Sequence, residues 1–122
     1  MSTAIPADNI RLKRVYEPPA SDDGSRILVD RLWPRGVSKK AAVLDEWLKD
    51  IAPSTELRQW FGHDPARWEE FRQRYAEEVH EKASLLESLR ACAQQSRITL
   101  VYSAHDEVHN HAVALRALIL EY

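Results

Sequence analysis

Two apolar runs constrain this chain most. RILVDRL (26–32) and RITLVY (97–102) are rich in β-branched residues and read as buried strands, yet most of the chain lies between them. Strands so far apart in sequence need a crossover, and the sequence between them is patterned for helices. The expected fold is therefore α/β: a small single-domain sheet of about three strands or more, partly parallel, covered by helices. In it, 97–102 runs parallel to 26–32.

A third strand precedes these two. IRLKRVY (10–16) alternates apolar and basic residues with a slip at Val15, which suits a half-buried, bulged strand. EPPASDDGS (17–25) is dense in turn formers and reads as a loop. After Asp30 and Arg31, Pro34 restricts Trp33 to an extended conformation, Gly36 permits a sharp turn, and Ser38 is placed to cap a short helix. Residues 41–51 are ambiguous. Leu44, Trp47, Leu48 and Ile51 have helical spacing, but an extended segment also suits tight packing of Trp47.

The helical signals then sharpen. Ser54 is an N-cap and Gly62 a stop; Asp64 followed by Pro65 starts the next helix. Trp68, Phe71, Tyr75 and Val79 share one face, and Leu85, Leu86, Leu89 and Cys92 continue the spacing after a kink near His80. From Val108 onward Ala112, Leu115, Leu118, Ile119 and Tyr122 mark a closing helix. The expected core includes Ile27, Val29, Trp47, Leu57, Phe71, Tyr75, Leu100 and Leu115. One domain spans 1–122, with 1–9 as a flexible tail.

Composition narrows the setting. The chain has 122 residues, 44% hydrophobic and 30% charged, which fits a globular protein rather than a disordered one. No apolar run is long enough to span a bilayer, MSTAIPADN shows no signal-peptide pattern, and the single cysteine, Cys92, cannot form an internal disulfide. A cytoplasmic location is expected. The net charge of −2 draws the whole molecule toward neither nucleic acid nor membrane. Locally, however, Arg26, Arg31, Arg35, Lys39 and Lys40 form a basic stretch against Asp30 alone.

The chemistry concentrates in HDEVHNH (105–111), which holds three of the five histidines. His105 and His109 have the i, i+4 spacing of a zinc pair, but Asp106 stands where a metalloprotease has glutamate, and no third ligand is signposted. A helix start rich in polar residues explains the cluster better, so no metal is expected. Ser103, His105 and Asp106 include the residue types of a triad, yet triads are assembled from separate segments, and no G-x-S-x-G elbow is present. Cys92 reads as a small buried hydrophobe.

A third arrangement is stronger. In open α/β sheets, ligands bind beyond the carboxyl ends of the strands. Parallel neighbours at 26–32 and 97–102 would bring Asp30, Arg31, Trp33 and Arg35 beside Ser103, His105, Asp106, Asn110 and His111, at a helix N-terminus that favours an anion. The structural alternative is that Asp30 pairs with an arginine and caps a turn, with Trp33 as a lid on the core.

RVYEP, DRLWPRG, DEWLKDIAPSTELRQWF, FRQRYAEEV and TLVYSAHDEVHNHAVAL, in this order, resemble the YeaO-like family, domain of unknown function 488. The resemblance covers about residues 10 to 120 and implies a compact α/β fold with no established activity. Tyr102, Ser103, Ala104, Asp106, Asn110 and His111 match the family pattern, whereas His105 stands where a lysine is usual. That departure counts against a family-wide metal site at residue 105. A distant branch resembles this one with a Cys-His-Arg triplet near the same helix start; this chain lacks that cysteine.

Three functions compete. The first is a binder of, or enzyme acting on, a phosphate- or carboxylate-bearing small molecule. There Arg31 and Arg35 clamp the anion, Asp30 or Asp106 accepts a proton, His105 or His111 assists, Asn110 fixes an oxygen, and Trp33 and Ser103 complete the lining. The second is a nucleic-acid-associated module using the basic WPRG segment, disfavoured by the acidic total and the lack of a known motif. The third is a protein-interaction domain without chemistry. No cofactor motif and no membrane partner are expected; the oligomeric state is left open.

Overall fold

In the computed structural model, which describes residues 5–121, four parallel strands form one sheet. They are β1 (Ile10–Arg14), β2 (Ser25–Leu28), β3 (Glu46–Trp47) and β4 (Ile98–Tyr102). Their spatial order is β1-β4-β2-β3. All three pairings are parallel, so β4 runs parallel to β2 and to β1. Five helices accompany the sheet: α1 (Lys39–Ala42), α2 (Thr55–Phe61), α3 (Trp68–His80), α4 (Ala83–Gln95) and α5 (His111–Glu121).

The pleat divides the sheet's side chains between two unequal cores. Ile10, Ile27, Val29, Ile98, Leu100 and Tyr102 face α2 to α5, where Leu57, Phe61, Phe71, Tyr75, Leu86, Leu89, Leu115 and Ile119 meet them. On the other face, Leu28 and Val101 pack with Val15 and Ala42 beneath Trp33, Val37 and Leu44. Every residue of β4 is buried, as a strand covered on both faces must be.

The connection from β1 to β2 contains no α-helix, only a 3₁₀ turn at Ser21–Asp23. It crosses the second face and is fastened by a buried polar set. Asp23 accepts from Lys13 Nζ at 3.1 Å and Arg26 Nη1 at 2.7 Å, and its backbone oxygen takes the Thr99 hydroxyl at 2.7 Å. Arg26 spends its other donors on the carbonyls of Ala42 and Val43. Arg26 is only 3% exposed, so this member of the basic stretch is a structural ion and not a surface charge.

Local signals account for the helix ends. The Ser54 hydroxyl accepts the Leu57 N–H, Gly62 closes α2 in the left-handed region at φ 54°, and Pro65 opens a turn capped by Asp64. Several expectations need correcting. Within 41–51, which the sequence left ambiguous, α1 ends at Ala42, Trp47 is extended in β3 and Lys49–Ile51 form a 3₁₀ turn. Trp47 is 38% exposed rather than core, because its indole N–H reaches the Asp30 carbonyl at 2.7 Å across the sheet edge. Cys92 is exposed; the buried stripe of α4 is Leu86, Leu89 and Ala93, one step around the helix. The kink near His80 is a full break between α3 and α4. The closing helix begins at His111, leaving Val108 63% exposed in the preceding turns. Within the expected tail, Ala7–Asn9 form a 3₁₀ turn bound through Asn9 to the Ala93 carbonyl and by Arg116 to the Ala7 carbonyl. Residues 1–4 lie outside the described residues, as does Tyr122.

Candidate functional site

The carboxyl ends of β2 and β4 open into one cavity of about 660 Å³. Asp30, Arg31, Trp33 and Arg35 line it from the β2 side, and Ser103, His105, Asp106, Asn110 and His111 from the β4 side. All nine residues singled out from the sequence therefore share one space. Residues 73 positions apart are joined directly: Asp30 Oδ2 accepts from the Ser103 backbone N–H at 3.0 Å and from the Ser103 hydroxyl at 2.6 Å.

Asp30 is the buried pole of the cavity, 8% exposed. His111 Nε2 lies 2.9 Å from the Val29 carbonyl and 3.2 Å from Asp30 Oδ1. A carbonyl only accepts, so Nε2 carries a proton and directs it at Val29. Oδ1 is left with an electrostatic neighbour and no hydrogen bond of good geometry. Burial opposes the charge on Asp30. The His111 ring and the two Ser103 donors outweigh burial and hold the carboxyl below its ordinary value.

Asp106 organises the turn that enters α5. Its Oδ1 accepts the backbone N–H groups of Val108 and His109 at 2.8 and 2.9 Å, and its Oδ2 meets His109 Nδ1 at 2.9 Å. Those bonds, the backbone ones foremost, bring its carboxyl down to about 2. The Asn110 amide donates to the Asp106 carbonyl at 2.9 Å, and its oxygen caps α5 by accepting the Val113 N–H at 3.0 Å. The protein's own carboxylate thus occupies part of the anion-binding capacity of this turn.

The cationic side chains differ in availability. Arg31 donates through Nε to the Pro53 carbonyl at 3.3 Å and through Nη2 to the Ala52 carbonyl at 3.2 Å, which braces the entry to α2. Arg35 and Arg58 also line the cavity, and neither guanidinium has a protein acceptor among the described residues. Trp33 is half-buried; its indole N–H closes on the Val37 carbonyl at 2.7 Å and its ring meets Trp47 edge-on at 5.4 Å. It fixes the 33–37 strap over the second core while lining the cavity.

Sequence reasoning did not place Arg14, Arg58 or His63 at this site, His63 being weighed only as a possible third metal ligand. Arg14 donates to the Ala104 carbonyl at 2.9 Å and contacts His105 Nδ1 at 3.3 Å, fixing the loop after β4. Its place at the end of a strand was the signal available. Arg58 and His63 belong to the α2 end, which the strand-end rule does not reach. Three cavity arginines stand against two cavity aspartates, a net charge of +1 before any histidine is counted. Four of the five histidines line the cavity, but with separate partners. Among the described residues no group of three or more His, Cys, Asp or Glu side chains is placed to hold a metal ion. Nor is any described helix long and apolar enough to cross a membrane.

Fold and cavity together define a class: a small all-parallel α/β domain with a pocket at the strand ends that polar and apolar side chains line together. Within it, the chain belongs to the DUF488-N3i family, described as the inactive DUF488-N3 subclade, whose family model matches residues 9–122. It is similar to YeaO of Escherichia coli K12, an uncharacterized protein, with 46% identity over 107 residues, covering 88% of this chain and 93% of that one. An uncharacterized protein of Mycobacterium tuberculosis H37Rv is 44% identical over 110 residues, covering 90% of this chain and 92% of its own. No solved structure gives a significant match.

Proposed function

We propose that the cavity binds a small phosphate- or carboxylate-bearing molecule and does so without turning it over. One observation carries this reading: Arg35 and Arg58 line a cavity of net positive charge and have no protein acceptor among the described residues. Guanidinium groups so placed suit planar, bidentate recognition of an oxyanion. Arg31, tied to two carbonyls, adds charge from behind rather than closing on the ligand. The volume lies in the usual range for small-molecule sites.

Binding without turnover follows from the same groups. Both carboxylates sit below their ordinary pKa and are weak bases near neutrality. The Ser103 hydroxyl donates its hydrogen bond to Asp30 and not to a histidine, so no Ser–His nucleophile pair is assembled there. The family's description as inactive supports this. A cytoplasmic setting, where small anions of this kind are abundant, belongs to the same proposal.

Thermal unfolding with and without inorganic phosphate, phenyl phosphate and benzoate tests the reading. A ligand at about 100 times its dissociation constant adds about 2.7 kcal/mol of stability. At least one of these anions raises the melting temperature, and the paired substitution Arg35→Ala, Arg58→Ala removes most of the rise. No shift with any of them, or the same shift in the variant, overturns the proposal.

A further inference from the structure

The cavity is not uniformly cationic. Its inner end is a buried carboxylate whose Oδ1 lacks a hydrogen bond of good geometry, beside a hydroxyl that already donates its only proton. Ser103 is partly exposed and lines the cavity, and its Oγ, with its proton given to one hydrogen bond, keeps lone pairs able to accept. Donation to an ionised partner strengthens Oγ as an acceptor, because the charge on Asp30 polarises the O–H bond. His111 Nε2 is committed to Val29, and the Ser103 N–H to Asp30, so neither offers a donor to the cavity. A ligand presenting only oxyanion oxygens gains nothing from these two groups and meets the Asp30 carboxylate.

The same cavity is lined by apolar side chains as well as by Arg35 and Arg58, Pro53, Phe61 and Phe71 among them. Phe61 and Phe71 stack on each other at 4.4 Å and form a rigid apolar wall, against which an apolar ligand body is shielded from water. From these three parts we infer that the pocket selects a bipolar ligand: an aromatic or compact apolar body with an oxyanion at one end and an N–H or O–H donor at the other. The oxyanion meets the free arginines and the donor meets Ser103 Oγ beside Asp30. This inference rests on the anion-binding reading above and specifies its ligand class.

The test compares phenyl phosphate with its 2-, 3- and 4-amino isomers, and benzoate with the aminobenzoates, by calorimetric titration of the full chain. Aniline, which has no anion, is the control. At least one amino isomer binds about tenfold or more tighter than its parent, the gain of one hydrogen bond to a charged acceptor set. Ser103→Ala reduces that preference to under about threefold while the parent anion keeps its affinity, because the Ser103 N–H still holds Asp30. Asp30→Asn, scored only by the ratio of amino isomer to parent, also lowers the preference. Parents that bind with amino isomers no tighter overturn the donor pole and leave the anion site standing. A preference unchanged in Ser103→Ala does the same. If no parent anion binds, the anion reading and this inference fall together.

Discussion

Asp23 shows how much one residue settles. Its side chain is 1% exposed, lies against Lys13 and Arg26, and accepts the Ala20 N–H, so it holds the helix-free β1–β2 crossover on the sheet. Burial alone would raise its carboxyl; the Ala20 N–H and the two cations reverse that and bring it below 3.8. A carboxyl depressed in the folded state stabilises fully above its unfolded value, and that contribution fades as pH falls through the folded value. Removing one partner of a buried pair leaves an uncompensated charge, so Asp23→Ala should lose about 3–5 kcal/mol at pH 7. Glu69→Ala, which breaks an exposed pair with Arg72, should lose under about 1 kcal/mol. Urea unfolding at pH 7 and again near pH 3 checks both values and the narrowing of the Asp23 effect in acid. Equal losses for the two variants would contradict this account. None of this was legible in sequence, where Asp22 and Asp23 looked like loop residues and Arg26 like part of a basic patch. Local composition does not reveal that a loop folds back over a sheet face.

At the scale of elements, the approach of the crossover to β2 depends on Gly24. Its φ is 67°, and a Cβ built there would lie 2.0 Å from the Arg97 carbonyl oxygen. Gly36, at φ 75°, has nothing within 4 Å of the same position. Both replacements bear the strain of a positive φ, and Gly24, at ψ −141°, sits in a region adopted essentially by glycine alone. Only Gly24→Ala must also separate β2 from the start of β4, where Ser25 N–H meets the Arg97 carbonyl at 3.1 Å. Thermal unfolding should rank Gly24→Ala well below Gly36→Ala, and equal melting temperatures would count against the close approach. The sequence reading flagged Gly36 for its turn and passed over Gly24, because close contact between distant backbones leaves no local mark. Elsewhere, elements with strong caps or periodicity were legible: α2 through Ser54 and Gly62, α3 through Phe71, Tyr75 and Val79, and β4 through its apolar run. At Trp47, where helical and extended readings competed, a tertiary contact decided for the extended one, and at Cys92 the helix was right but the buried face was set one step away. The pocket lining was legible from β2 and β4 because strand ends follow a topological rule. Arg58 and His63 were not, because their place depends on how α2 packs.

For the whole molecule, the order β1-β4-β2-β3 has a consequence for folding. β4 is the last strand in sequence and sits between the first two. It pairs with β1 from Ile10↔Ile98 to Arg14↔Tyr102, and with β2 from Ser25↔Ile98 to Leu28↔Val101. Until β4 arrives, β1 has no neighbour in the sheet, β2 has only the two-residue β3, and α3 and α4 have no central strand to cover. Non-local pairing of this kind places the loop-closure entropy before the contacts that offset it. A chain ending at Ser96 should therefore show helical circular dichroism without a cooperative thermal transition. Adding a peptide of residues 97–122, which carries β4, the Asp106 turn and α5, should restore the transition and the cavity together, since Ser103, Asn110 and His111 arrive on that segment. A cooperative transition in the shortened chain alone would mean that residues 1–96 hold a core of their own. The sheet centre would then not be what makes this domain fold as one unit.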